Sequence, residues 1–185
     1  MDERATERRT TLAVGVLLIV VGATFLIGRQ VGVDWGDVGW PLFVIVPGLV
    51  LFVLALAVGG KAGSGFAVPA GVVTMTGVVL AVQNATDLWE TWAYAWALVA
   101  PGGVGIGLLL YGLLTRQPDM ATGGVWALLA GLGLFLGFGF FFESVIGLSG
   151  GRVAGMETLM AAGIVAIGVV IVVLSVAGRR RADEG

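Results

Sequence analysis

The sequence predicts an all-α, polytopic membrane protein whose six transmembrane helices form three tandem helical-hairpin repeats, all inserted the same way up. Three observations carry that expectation. The chain has 185 residues, 58% of them hydrophobic and 12% charged, whereas an ordinary soluble domain carries about 25% charged residues. Its apolar residues gather into six long, almost uncharged runs, at about 12–28, 40–58, 66–83, 92–114, 122–142 and 157–177. A Pro-Gly pair inside an apolar run also recurs, in GWPLFVIVPGLVLF from Gly39 and in YAWALVAPGGVGIGLLLYG from Tyr94.

Runs of this length read as membrane spans because roughly 20 helical residues cross a hydrocarbon layer about 30 Å thick. Helices are expected rather than a barrel, since the runs are continuous instead of alternating and a backbone in lipid must satisfy its own amides. The first run follows a charged start, DERATERRTT, yet it is long for a signal peptide and no small-x-small cleavage site follows it. It is expected to be retained. The second run opens with Trp40-Pro41, a helix start, because the first turn has no partner for the amide that proline lacks. Pro47 lies deeper, where it should bend the helix, and Gly48 beside it lets a neighbour approach.

The remaining runs align with the first two. Gly22, Gly77 and Gly131 superpose at spacings of 55 and 54 residues, and Gly48, Gly102 and Gly163 superpose in the second helices, with Gly107 matching Gly168. A fixed period of this size marks an internal repeat. Each repeat would be one hairpin, at about 11–58, 66–114 and 121–178, within a single membrane domain 1–185 flanked by cytoplasmic tails 1–10 and 179–185. Either a closed threefold ring or a linear array satisfies the pattern. The chain holds 32 glycines, many inside the runs. Without a hydrophobic force between helices in lipid, small residues must allow close packing, and Gly22, Gly48, Gly77, Gly102, Gly107, Gly131, Gly163 and Gly168 are the expected packing positions. Gly103/Gly107 and Gly133/Gly137 are small-xxx-small pairs.

Basic residues set the expected orientation. Arg4, Arg8, Arg9, Lys61, Arg116, Arg179, Arg180 and Arg181, eight of the ten, fall in the termini and even-numbered loops, against Arg29 and Arg152 in the odd-numbered ones. The positive-inside rule then places both termini in the cytoplasm. The opposite, outer boundary collects Trp35, Trp40, Trp89, Trp92 and Trp96, with only Trp126 toward the inner one, and six carboxylates, Asp34, Asp37, Asp87, Glu90, Glu143 and Glu157. Interfacial anchoring and solvated charge explain such residues simply. The one-sided excess also suits a rim that binds a protein partner, with Trp35, Asp37, Trp40, Asp87, Trp89, Glu90 and Trp92 as its candidate residues.

Little in the chain points to chemistry. Cysteine and histidine are both absent, which removes thiolate sites, disulfides, the commonest metal ligand and the usual neutral-pH proton shuttle. No ionisable residue falls at an expected midplane, the place where one would signal function. The glycine-rich PGGVGIG follows no strand, so it is no phosphate loop, and a net charge of −2 suggests no nucleic-acid surface. Asn84-Ala85-Thr86 matches a glycosylation sequon but lies almost at the membrane. Thr74 and Thr76 can bond back to their own backbone. No catalytic, cofactor-binding or metal residue is assigned.

The segment from Leu12 to Leu56, with Gly15, Gly22, Trp40, Pro41 and Gly48, resembles the LiaI-LiaF-like transmembrane region family. That resemblance implies an envelope-stress system or a related membrane protein. Over its whole length the chain also resembles the HdeD-like proteins, which have six helices and repeated glycine-rich hairpins. The functional expectation is a non-enzymatic integral membrane module, a scaffold, accessory subunit or envelope-stress component, with the lipid bilayer and a membrane or extracytoplasmic protein as partners. The alternative is a small transporter or channel with its path between the hairpins.

Overall fold

A computed structural model describes residues 39–151 and 156–183, together with positions 15, 19, 22, 23, 26 and 30. Trp35, Asp37, Asp34, Arg152 and most of the first apolar run lie outside the described residues. The described chain is all-α. Five helices follow one another: α1 (Leu42–Val58), α2 (Gly60–Thr86), α3 (Trp89–Leu114), α4 (Pro118–Ile146) and α5 (Met156–Asp183).

The six-span, three-hairpin expectation is corrected here. Among the described residues, α2, α3 and α4 are long and apolar enough to cross a membrane, with 27, 26 and 29 residues. The apolar helix α1 has only 17 residues, and the apolar stretch found within α5 is Met160–Val172. Breakers fix the length of α1. Pro41 caps its start, its carbonyl accepting from the Val44 and Ile45 amides at 3.0 Å, so Trp40 belongs to the preceding turn. Gly59 and Gly60, with φ of 69° and 57°, end it in a left-handed turn that a β-carbon would oppose.

Nor do the helices pair as three separate hairpins. They pack in sequence order as a row, α1 on α2, α2 on α3, α3 on α4 and α4 on α5. The reason is the distribution of small residues on both sides of the middle helices. On one side of α2, a β-carbon at Gly77 would lie 2.8 Å from the Ile45 amide nitrogen of α1, and one at Gly48 would overlap Thr74. On its other side, a β-carbon at Gly71 would strike Gly103 and Gly107 of α3. Helix α3 repeats the device: Gly103 and Gly107 meet α2, while Gly105 and Gly112 meet Leu128, Gly124 and Ala121 of α4. Backbones this close gain dispersion contacts that larger side chains would prevent.

The three prolines set within the apolar runs, Pro47, Pro69 and Pro101, are accommodated, but differently. Around Pro101 the backbone widens into a π turn over Leu98–Gly102, whose i to i+5 bonding bypasses the amide proline lacks. Pro47 and Pro69 stay within α-helical stretches. At the end carrying Lys61 and Arg116, Tyr111 is fully buried among Ala55 and Ala67 and donates its hydroxyl proton to the Gly60 carbonyl at 2.8 Å. This ties the foot of α3 to the start of α2. The next connection is equally short, with the Gln117 amide donating to the Gly112 carbonyl at 2.8 Å and Pro118 in the first turn of α4.

Candidate functional site

The opposite end of the row, where α2 finishes and α3 begins, gathers most of the polar side chains. Helix α2 stops at Asp87, whose φ of 53° is left-handed and whose amide donates to the Gln83 carbonyl. A single turn of 3-10 helix, Trp89–Thr91, then opens α3. This tight reversal brings together three features: a tryptophan rim, a buried carboxylate and an apolar cavity.

The rim is built across helices. Trp40, just before α1, stacks on Trp89 with ring centroids 6.2 Å apart and 14° between planes, and its Nε1 donates to Asn84 Oδ1 at 3.2 Å. Asn84, the residue of the glycosylation sequon, is thus engaged within α2. Trp89, Trp92 and Trp96 each keep about 40% of their surface exposed. Trp96 donates its Nε1 proton to the Ala93 carbonyl at 3.1 Å and leans on Phe138 of α4. The structure therefore brings Trp40, Asp87, Trp89, Glu90 and Trp92 to one end, while Trp35 and Asp37 lie outside the described residues.

Glu143 departs from the expectation of solvated charge. It is 7% exposed, and Tyr94, 2% exposed, donates its hydroxyl proton to Oε1 at 2.9 Å. Ser149 donates twice to Oε2, from its amide at 3.2 Å and its hydroxyl at 2.6 Å. Local chain geometry makes this possible. The π turn Phe141–Ile146 ends at Gly147, whose φ of 69° reverses the chain, and the Leu148 amide closes back on the Phe142 carbonyl at 3.1 Å. Ser149 is thereby folded over the carboxylate six residues before it. Tyr94 is held in turn by Phe135 and Phe142, at centroid distances of 5.4 and 6.5 Å. A buried carboxylate is costly unless hydrogen bonds surround it, and here both oxygens are occupied.

Beside Tyr94 lies a cavity of about 200 Å³. Its walls come from Met75, Val79 and Val82 of α2, Ala95 and Leu98 of α3, Phe135 of α4 and Met160 of α5, and its polar lining is Gln83, Thr86, Thr91 and Tyr94. Gln83 is 2% exposed and donates from Nε2 to Thr91 Oγ1 at 3.0 Å. Its Oε1 is the buried side-chain atom left without a hydrogen-bond partner among the described residues. In the sequence Gln83 reads as an ordinary polar residue near a helix end.

Comparison with protein-family models, with curated proteins and with solved structures finds no match.

The packing glycines divide. Gly48, Gly77, Gly107 and Gly131 stand against backbone of a neighbouring helix, and Gly163 against the Leu136 side chain. Gly102 is itself the neighbour that Gly131 meets. At Gly22 and Gly168, nothing among the described residues lies within 4 Å of a β-carbon, and Gly168 is exposed. The Gly133/Gly137 pair is open in the same way. Thr76 bonds back to the Val72 carbonyl at 2.8 Å, whereas Thr74 is the residue against which Gly48 packs. Among the described residues, no group of three or more histidine, cysteine, aspartate or glutamate residues could hold a metal ion.

Proposed function

We propose that this chain is a non-enzymatic integral membrane module, a scaffold or accessory subunit of an envelope-associated assembly, which docks an extracytoplasmic protein on its tryptophan end. The observation that carries the reading is the rim itself: half-exposed Trp89 and Trp92 beside Asp87 and Glu90, with Trp89 held in place by stacking on Trp40. Rings fixed before binding lose little entropy on contact, and tryptophan is the residue most enriched where protein contacts concentrate their energy. The acidic neighbours favour a basic patch on the partner. Lys61 and Arg116 at the far end support a cytoplasmic assignment for that end, with the termini on the same side, and an external one for the rim. The link to envelope stress rests on the resemblance of Leu12 to Leu56 to the LiaI-LiaF-like region. Glu143 supports the non-transport reading, because three donors within its own fold already occupy it.

The test is crosslinking in native membranes, comparing the parent with the triple variant Trp89→Ala, Trp92→Ala, Asp87→Asn at matched folded yield. A specific companion captured by the parent and reduced at least fivefold in the variant is expected. A parent without companions, or a variant that keeps all of them, leaves the rim as an anchor alone. Saturable ion or proton flux through purified protein in liposomes would instead favour the transporter reading.

A further inference from the structure

The cavity beside Tyr94 has a chemical polarity that follows from counting protons. Thr86 donates its hydroxyl proton to the Val82 carbonyl at 2.7 Å, Thr91 to the Leu88 carbonyl at 2.6 Å and Tyr94 to Glu143 at 2.9 Å. Every hydroxyl proton in the lining is spent. Because the Thr91 proton is committed, its oxygen can only accept from Gln83, so Gln83 must present its amide NH2 there and keep Oε1 for something else. Oε1 is buried and has no partner. A buried acceptor left unpaired is costly, so the site is incomplete as it stands. What it lacks is a donor.

The rest of the lining says what carries the donor. The walls are aliphatic and aromatic, which disfavours an ion. The volume, about 200 Å³, exceeds the roughly 150 Å³ of an apolar cavity known to take up benzene, so it holds a polar head and the first part of an alkyl chain. The lining of α2 runs from Thr86 back to Met75, about 16 Å at 1.5 Å per residue, from the level of the tryptophan rim into the bilayer. Val78 and Val82, 42% and 57% exposed, stand at its edge and leave a lateral way out for a longer chain.

We propose that this cavity binds a neutral, hydroxyl-headed single-chain lipid, with the hydroxyl donating to Gln83 Oε1 and the chain lying along Val79, Phe135 and Met160. The site is independent of the rim and of any protein docked there. Fatty alcohols and monoacylglycerols share the required head chemistry.

The experiment uses the full chain in phosphatidylcholine nanodiscs, whose headgroups offer no donor, and a diazirine-bearing decanol as photoprobe. Labelling is expected in the segments holding Met75, Val79 and Met160, and unlabelled 1-decanol should compete about tenfold better than methyl decyl ether, which matches it in shape but cannot donate. That comparison needs no variant. Gln83→Leu should then erase the preference for the alcohol, and Val79→Phe, which fills the cavity, should abolish site labelling while lipid-facing labelling persists. 1-Monooleoylglycerol competing more strongly than 1-decanol would point to the glyceride source, and the reverse to the alcohol, either outcome upholding the hydroxyl. Equal competition by alcohol and ether overturns the proposal, as does labelling spread evenly over the exposed faces of α2 and α3.

Discussion

Glu143 is held by donors from two directions, and each half of that arrangement can be removed separately. Tyr94→Phe strips Oε1 of its partner while keeping the ring between Phe135 and Phe142, and Ser149→Ala removes one of the two donors to Oε2. Each variant should lower thermal stability in detergent, by about 1–3 kcal/mol, the range for leaving a buried polar group short of a partner. Because the two donors share one carboxyl group, the double variant should depart from additivity. Additive losses would mean that Tyr94 and Ser149 act independently of Glu143. Only the acid's approximate depth could be read from the sequence. Its burial depends on a tyrosine 49 residues away and on a left-handed glycine after the helix, and neither has a local signature.

Helix α3 shows what glycine does here. Its packed glycines serve two faces at once, because α3 lies between α2 and α4 and touches both through backbone. A β-carbon at Gly105 would stand 2.7 Å from the Leu128 Cα and 2.8 Å from the Gly124 carbonyl oxygen, so the helices would have to part. Gly105→Ala should therefore reduce the yield of folded protein sharply. Gly133→Ala, with nothing among the described residues within 4 Å, should be neutral or stabilising by up to about 1 kcal/mol through helix propensity alone. Thermal melts of both variants in the same detergent check the pair, and equal behaviour would refute the packing argument. Repeat alignment matches Gly107 with Gly168, yet Gly168 has no close neighbour among the described residues. Glycine in a membrane helix permits close approach, but only a facing helix uses it.

For the assembled protein, the order of turns fixes which loops share a side. The parent has no cysteine, so single cysteines at Ala85 and Gly150 should react together with an impermeant maleimide, and one at Ser64 should react only from the other side. Ser149 would be a poor reporter, being 4% exposed and bonded to Glu143. Labelling of Ala85 and Ser64 from the same side would break the assignment of α2 as a span. Membrane character was open to view in the sequence, because it sums over long runs and tolerates error at any single residue. The start of α2 was not. GKAGSG reads as a loop by composition, yet Gly60, Gly63 and Ala67 form helix there because Tyr111 and Ala55 pack against them. The row of helices, the closed hydrogen-bond shell of Glu143 and the unpaired oxygen of Gln83 likewise emerge only in three dimensions. Composition reports how much apolar surface a segment must hide. Which face hides it, and which polar atom is left without a partner, depends on neighbours brought together from distant parts of the chain.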